Sequence, residues 1–355
     1  MKYLLITAFL SVLLCAGCKS TDTVIPIGVS TYITKEDFKN QLGLEVSPIS
    51  LAFSTDNNLY VADSYRIFKI TSTGKISLFA GGTLAGYRNG SALMAMFNGI
   101  HGLAVDAQGN LFVGEQHNTC IRKITPAGQV SLWAGKPQWT FLPGFDGPDD
   151  GPDSSAHFAF PSALALDKQG NLVEAERGFI SRFAAAAVRR ITPSGYVKTL
   201  AGSVGNSTVG AFRDAPGYFS DPTGLAVGGS DTLYISDTGT GIISKVAANG
   251  QVTTLAGNSR RESFDGVGQQ ASFTYLTALV CNSAQTLYVG DRYKIRQINP
   301  DGRVKTIAGG DEFGQRDGSL LDARFGQILD LAFDSFGQLY VADPDNACIR
   351  RIRFD

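Results

Sequence analysis

The sixfold repetition of one short strand motif limits the folds that are open to this chain. In each copy, Leu begins a five-residue segment that ends in Asp or Glu. The copies are LYVAD at 59–63, LFVGE at 111–115, LVEAE at 172–176, LYISD at 233–237, LYVGD at 287–291 and LYVAD at 339–343. Successive acids are 52, 61, 61, 54 and 52 residues apart, so each copy belongs to a unit of about 50 residues.

Each unit contains four strand signals that are separated by turn residues. A run such as GLAVD at 102–106 comes before the motif, and IRKI at 121–124 follows it. A turn containing Gly then leads into a last run such as VKTLAG at 197–202. Short strands at this spacing indicate an antiparallel, all-β architecture. Because four strands recur in every unit, the units are predicted to be propeller blades rather than parts of a sandwich.

The linkers between units share a second motif, in which Asn-Gly or Asp-Gly precedes Ala-x-Phe. It occurs as Asn89-Gly90 with Ala95-Met96-Phe97, Asp146-Gly147 with Ala156-His157-Phe158, Asp265-Gly266 with Ala271-Ser272-Phe273, and Asp317-Gly318 with Ala323-Arg324-Phe325. With the strand motif, this pattern resembles the NHL-repeat family of β-propellers over residues 48–354. The resemblance implies an all-β, six-bladed β-propeller of NHL-type repeats at 48–355. It implies no single function, because that family includes receptors, sensors, scaffolds and a few enzymes.

The sixth unit lacks a fourth strand, since the chain ends soon after Ile352. An unpaired outer edge would promote aggregation. The unassigned β-rich segment TVIPIGV at 23–29 is therefore predicted to supply that outer strand and close the ring. The segment TKEDFKNQ at 34–41 is predicted to form a helical turn on the way to the first blade.

The N-terminus has the features of an export signal. A basic start and the apolar run at 4–14 precede Ala16, Gly17 and Cys18, and eleven apolar residues are too few for a stable membrane span. The small residues before Cys18 resemble the cleavage box of bacterial lipoproteins, including those of the Bacteroidetes. This resemblance implies a signal peptide at 1–17, lipidation of Cys18 and an anchored segment at 18–47. Ordinary signal cleavage after Ala16 or Gly17 is the alternative.

Charge and cysteine content exclude several classes of partner and cross-link. The 31 basic and 32 acidic residues nearly cancel, so no basic surface for nucleic acid is expected, and membrane contact should come through the lipid anchor alone. We expect a monomer in the cell envelope, at the outer membrane, facing the periplasm or the cell surface. Beyond the signal region, Cys120, Cys281 and Cys348 form no close pair, and we expect small buried residues rather than disulfides.

Two long loops border the second and third units and carry the candidate ligand-binding residues. They span 136–160 and 177–187, and in a propeller both lie on the face around the central opening. The candidates are Trp139, Phe141, Phe145, Arg177, Phe179, Arg182 and Phe183. Aromatic planes beside polar groups suit stacking on a sugar ring or anchoring of a protein partner. The alternative is that these aromatics pack onto the propeller as a satellite core.

Acids and histidines provide the candidate metal ligands. The six motif acids, Asp63, Glu115, Glu176, Asp237, Asp291 and Asp343, are expected to accept hydrogen bonds from the backbone of the next turn, with a cation site as the alternative. His101, His117 and His157, with Glu115, could hold zinc in a lyase or hydrolase centre. The acids at 146, 149, 150 and 153 could bind calcium or form a solvated loop. No cofactor is predicted, since the sequence has no nucleophile elbow, phosphate-binding loop, HExxH or CxxC motif.

These observations lead to three hypotheses of function. The first is an exported, lipid-anchored propeller that binds a glycan or an envelope protein through its loop-bearing face without catalysis. The second is a metal-dependent lyase or a lactonase-type hydrolase that uses the same face. The third is a structural part of a larger envelope complex.

Overall fold

The six repeats form six antiparallel sheets arranged around a central axis. A computed structural model describes residues 25–137, 149–152, 155–178, 186–202 and 219–355. The first strands, which line the axis, are β2 Ser50–Phe53, β7 Ile100–Val105, β11 Phe160–Leu166, β15 Pro222–Val227, β20 Leu276–Cys281 and β24 Asp330–Phe333. The second strands carry the sequence motif and are β3 Leu59–Ala62, β8 Leu111–Glu115, β12 Leu172–Arg177, β16 Leu233–Asp237, β21 Leu287–Asp291 and β25 Leu339–Asp343.

The outer strands of each blade follow in sequence order. The third strands are β4 Arg66–Ile70, β9 Cys120–Ile124, β13 Ala187–Ile191, β17 Ile242–Val246, β22 Lys294–Ile298 and β26 Cys348–Phe354. The fourth strands of blades one to five are β5 Ile76–Gly81, β10 Gln129–Ala134, β14 Val197–Gly202, β18 Val252–Ala256 and β23 Arg303–Gly309. Two-residue strands, β6 Gly90–Ser91 and β19 Gly266–Val267, extend blades two and five. The predicted six-bladed β-propeller is confirmed.

Apolar side chains between neighbouring blades hold the ring together. Among the described residues, buried apolar side chains form six clusters, and each one joins two adjacent sheets. One cluster joins blade six to blade one through Tyr340 and Leu51. Because the first and last repeats share a core, the sheets form a closed ring rather than an open array.

The N-terminal strand completes blade six, as the missing fourth strand predicts. Strand β1 covers Pro26–Ile33 and pairs antiparallel with β26 in the sheet order β1-β26-β25-β24. It therefore extends four residues further along the chain than the predicted segment 23–29, of which residues 23 and 24 lie outside the described part. This strand pairs the outer edge of β26, which would otherwise be free.

Helix α1, Lys35–Leu42, follows β1 and confirms the predicted helical turn. Thr34 and Asp37 form a capping box at its start, and Gly43 ends it in a left-handed conformation. Phe38 packs edge-on against Phe68 of blade one, with 5.7 Å between the two ring centroids. No helix in the described part of the chain is long and apolar enough to span a bilayer.

A shared hydrogen-bond pattern explains why β1 substitutes for a fourth strand. On the fourth strand of blade three, the Thr199 amide and hydroxyl donate to Asp150 of the linker, both at 2.8 Å. Thr306 of blade five donates to Asp265 in the same way, at 2.9 and 3.0 Å. In blade six, Thr31 of β1 donates to Asp317, with distances of 2.8 Å from the amide and 3.1 Å from the hydroxyl.

Replacing Asp317 by Ala should therefore weaken ring closure. The carboxylate accepts from Thr31 and from the buried Arg350 at 2.7 Å, and hydrogen bonds to charged groups contribute about 1.5–3 kcal/mol each. We expect a loss of about 2 kcal/mol or more in the free energy of unfolding, and faster amide exchange at Val29 and Thr31. Asp311→Ala is the control, because Asp311 is exposed. Equal exchange in both variants would show that Asp317 does not fasten the strand.

Candidate functional site

The motif acids are structural, and their carboxylates point into the surrounding loops. Asp63 accepts from the amides of the following turn, at 3.1 Å from Tyr65 and 2.8 Å from Arg66. In the other blades the acid mainly accepts from the segment that enters the first strand. The amide donors are Asn98 to Glu115, Ala159 to Glu176, Ser220 and Asp221 to Asp237, Thr274 and Tyr275 to Asp291, and Gly326 to Asp343, at 2.8–3.0 Å.

In these five blades the donors lie mainly in the segment that enters the first strand, whereas the following turn was expected to supply them. The reason is geometric. The first and second strands pair antiparallel, so the end of the second strand lies beside the start of the first. The carboxylate satisfies amides in that adjacent segment. An acid used in this way has little capacity left for a cation.

In four blades the acid also pairs with a fully buried Arg on the third strand. The pairs are Arg122–Glu115 at 3.1 Å, Arg189–Glu176 at 3.4 Å, Arg296–Asp291 at 2.6 Å and Arg350–Asp343 at 3.4 Å. Each guanidinium lies 4.8–5.2 Å from the ring of the Phe in the linker motif, namely Phe97, Phe158, Phe273 and Phe325. We call this unit of acid, Arg and Phe the clamp. It accounts for the Ala-x-Phe motif of the linkers.

The linker acid of blade three differs from the one predicted. The linker motif predicts Asp146-Gly147 for this role, and these two residues lie outside the described part of the chain. In the structure Asp150 accepts from Thr199 and from Arg189 at 3.2 Å, the positions that Asp265 and Asp317 fill in their blades. Asp150-Gly151 is thus the functional counterpart, and four closely spaced acids in this loop concealed it from a motif search.

Three of the four predicted metal ligands have other partners. Glu115 is buried and accepts from Asn98, Asn118 and Arg122, and burial raises the pKa of Glu115 to about 7. His157 contacts Asp149 through Nδ1 at 2.8 Å. His117 contacts Asn98 at 3.2 Å. No group of three or more His, Cys, Asp or Glu side chains suited to a metal occurs among the described residues.

Most of the predicted aromatic sector falls outside the described part of the chain. This applies to Trp139, Phe141, Phe145, Phe179, Arg182 and Phe183, and also to Cys18. Arg177 is described, and it forms a two-pronged ion pair with Asp221 in the loop that enters β15. This pair links blades three and four at the rim of the central opening. The binding role of the sector remains a prediction.

The central channel opens on what we call the loop face, where second strands end and first strands begin. Its volume is about 450 Å³. His101, Gln116, Arg177, Tyr275 and Gln327 surround the opening, and we call these five residues the channel mouth. The first strands pair on one side only, so their free edges add backbone donors and acceptors along the wall.

Gln116 has an unsatisfied buried amide at this mouth. Its side chain is 8% exposed, and among the described residues Nε2 has no hydrogen-bond partner. Its backbone amide donates to Gly99 at 2.8 Å, which fixes the residue in the turn after β8. Buried amide donors in proteins are normally satisfied. A ligand oxygen in the mouth could supply the missing acceptor.

The mouth carries almost no net charge. Arg177 is balanced by Asp221. Burial, together with the charges of Arg177 and His117, lowers the pKa of His101 to about 4, so its imidazole is neutral at physiological pH. Tyr275 adds an aromatic ring that is 39% exposed. No sequence pattern marks Gln116, Asp221 or Tyr275 as a site residue, because none belongs to the repeated motifs.

Comparisons with known proteins establish the fold but no family. No protein-family model matches the chain. It is 26% identical over 354 residues to Protein SUPPRESSOR OF QUENCHING 1, chloroplastic, of Arabidopsis thaliana, covering 90% of this chain and 32% of that protein. It is 25% identical over 356 residues to Teneurin-3 of Danio rerio, covering 87% of this chain and 12% of that protein. The chain thus spans a third or less of these relatives.

Solved structures of similar shape agree with the propeller. An auxiliary nutrient binding protein from Bacteroides thetaiotaomicron has a TM-score of 0.66 and 16% identity, covering 92% of this chain and 76% of that one. A gluconolactonase from Xanthomonas campestris has a TM-score of 0.57 and 16% identity, covering 94% and 97%. At this identity the likeness shows the fold alone.

Proposed function

We propose that this protein is an exported, lipid-anchored propeller that binds a glycan or a protein partner through its loop face, without catalysis. The observation that carries the proposal is the buried amide of Gln116, which has no partner among the described residues, at a mouth with almost no net charge. Fixed loops on a ring of strands lower the ordering cost of binding. The auxiliary nutrient binding protein of similar shape is consistent with this role.

The chemistry of the mouth favours a glycan over a charged ligand. Neutral His101, the amides of Gln116 and Gln327, and the half-exposed ring of Tyr275 can donate to hydroxyl groups, accept from them and stack on a sugar ring. The aromatic sector around Trp139 and Phe183 would extend the same surface over blades two and three. Neutral oligosaccharides are therefore the first ligands to test.

A glycan array with the chain from residue 19 onward tests the proposal, followed by titration of the best ligand. We expect Gln116→Leu and Tyr275→Ala each to weaken binding about tenfold, since one unmade buried hydrogen bond or ring contact is worth ~1–2 kcal/mol. Gln169→Ala, in an exposed turn on the opposite face, should leave binding unchanged. Trp139→Glu and Arg182→Glu test the aromatic sector separately. Undiminished binding in all four loop-face variants would refute this face as the site.

An enzyme is the alternative, and the shape shared with a gluconolactonase favours it. A metal-dependent lyase or lactonase-type hydrolase on the same face would need a bound zinc or calcium ion. Metal analysis of protein purified without added metal distinguishes the two functions. One tightly held ion per chain would support the enzyme.

A further inference from the structure

The face opposite the loop face has an apolar corner on blade six, and exposed apolar side chains also lie on this face at Leu93 and Met94, beside the Gly128 turn of blade two. This hairpin face is where first strands end and second strands begin. At the middle position of the connecting turns, the other five blades have Asp56, Gln108, Gln169, Ser230 and Ala284. Blade six has Phe336, which is 78% exposed, the highest value for a large apolar side chain among the described residues. An aromatic ring in this position contributes nothing to the core.

The start of β1 adds two further apolar side chains at the same end of blade six. Ile25 is 61% exposed and Ile27 is 49% exposed. Ile27 lies at a β-bulge, because Pro26 pairs with Phe354 while Gly28 already pairs with Arg353. In the other blades a turn containing Gly, such as the one at Gly128, precedes the fourth strand and takes the place of the start of β1.

Backbone and side-chain hydrogen bonds connect these residues. The Asp355 amide donates to the carbonyl of Ile25 at 3.1 Å. The Phe354 amide donates to Gln338, two residues after Phe336, at 3.0 Å. Ile25, Ile27 and Phe336 therefore lie at one end of one four-stranded sheet, where neighbouring strands are about 4.8 Å apart. We call these three residues the blade-six corner.

The chain enters the propeller at this corner. Strand β26 runs from the loop face, where Cys348 pairs with Asp343, to the hairpin face at Phe354. Strand β1 is antiparallel to it and starts at the hairpin face. Ile25 is seven positions after Cys18, and at ~3.3–3.6 Å per residue this stretch spans at most about 25 Å. A lipid anchor on Cys18 thus holds this corner within about 25 Å of the bilayer.

We propose that the blade-six corner contacts the surface of the membrane that holds the acyl chains of Cys18, an inference that rests on the lipid anchoring in the proposed function. The three apolar side chains enter the headgroup region, and exposed Arg353 beside them can contact lipid phosphates. In this orientation the loop face and the channel mouth point away from the bilayer, where a ligand can reach them.

Tryptophan fluorescence of the full lipidated protein tests the contact. Phe336→Trp and Gln169→Trp introduce the same reporter at equivalent turns of opposite blades, and both native Trp residues are common to the two variants. The proteins are placed in vesicles of phosphatidylethanolamine and phosphatidylglycerol with brominated acyl chains. We expect quenching of the introduced Trp to be about twofold or more stronger at position 336, because only an interfacial side chain reaches the bromines.

Three other outcomes would overturn the inference, and they are distinguishable. Equal quenching of both reporters would mean that the ring lies flat on its hairpin face. Quenching of neither, in protein whose Cys18 carries acyl chains by mass spectrometry, would remove the corner contact and leave the proposed function intact. An unacylated Cys18 would refute the anchoring itself and this orientation with it.

Discussion

Replacing Arg296 by Met is expected to lower the free energy of unfolding by about 3–5 kcal/mol, the usual cost of removing one partner from a buried ion pair. Arg296 is fully buried and donates to Asp291 at 2.6 Å and to Asp265 at 2.9 Å. It also donates to the carbonyl of Phe264 at 2.9 Å. Met fills much of the volume but leaves the buried carboxylate of Asp291 without its cationic partner. Urea unfolding followed by circular dichroism measures the change.

The same substitution at Arg303 is the matched control. Arg303 belongs to the next strand of the same blade, and its pair with Asp301 is exposed, with 3.8 Å between the charged atoms. Exposed pairs contribute about 0–1 kcal/mol, so Arg303→Met should be nearly neutral. A loss at Arg296 no larger than at Arg303 would show that the clamp does not stabilise the blade. Blades one and four dispense with the Arg, having Phe68 and Ser244 at this position.

Replacing Glu174 by Val should stabilise the protein. Glu174 is fully buried on β12, and among the described residues neither carboxylate oxygen has a hydrogen-bond partner. The other five blades have Val61, Val113, Ile235, Val289 and Val341 at this position of the second strand. A buried polar group without a hydrogen-bond partner costs ~1–3 kcal/mol, so we expect Val to gain about 2 kcal/mol or more at pH 8.

The gain should grow with pH. Burial and the charge of Glu176 raise the pKa of Glu174 well above its ordinary range, against the opposing charge of Arg189. The folded protein therefore retains a proton that the unfolded chain releases above its ordinary pKa of about 4.3. Stability due to this group is lost as pH rises from that value through the raised pKa of the folded state. Glu115 and Asp330 also have raised pKa values. Both groups are present in wild type and in Glu174→Val, so the difference in stability between the two proteins isolates the effect of Glu174.

Glu174→Gln provides the control for titration. Gln removes the ionisable group, so the stability of this variant relative to wild type should also rise with pH. Gln is still a buried polar side chain, so its gain at pH 8 should be smaller than that of Val. Thermal unfolding at pH 5 and pH 8 measures all three proteins. A gain for Val that does not change with pH would contradict a raised pKa at Glu174. No gain at pH 8 would mean that the carboxylate is satisfied in the folded protein.

Local patterns were sufficient to predict the blades and the closing strand. The strand motif repeats with a fixed period, and turn residues mark each hairpin, so the four strands of a unit are specified within about 50 residues. The need for a fourth strand in blade six pointed to the segment before Val29. The same patterns failed at Asp150, since four acids in one loop are equivalent in sequence and only Thr199 and Arg189 distinguish them.

The sequence by itself determined the number of blades, their strand order and the way in which the ring closes, because these depend on periodic burial and turn chemistry along neighbouring residues. Only the tertiary structure decided which side chains meet at the axis. Gln116, Asp221 and Tyr275 come from different blades and have no common pattern. Closure of the ring brings them to one opening, where burial makes a histidine neutral and leaves the Gln116 amide without a partner in the described part of the chain. Such properties arise from the surroundings of a residue, which its own segment does not encode.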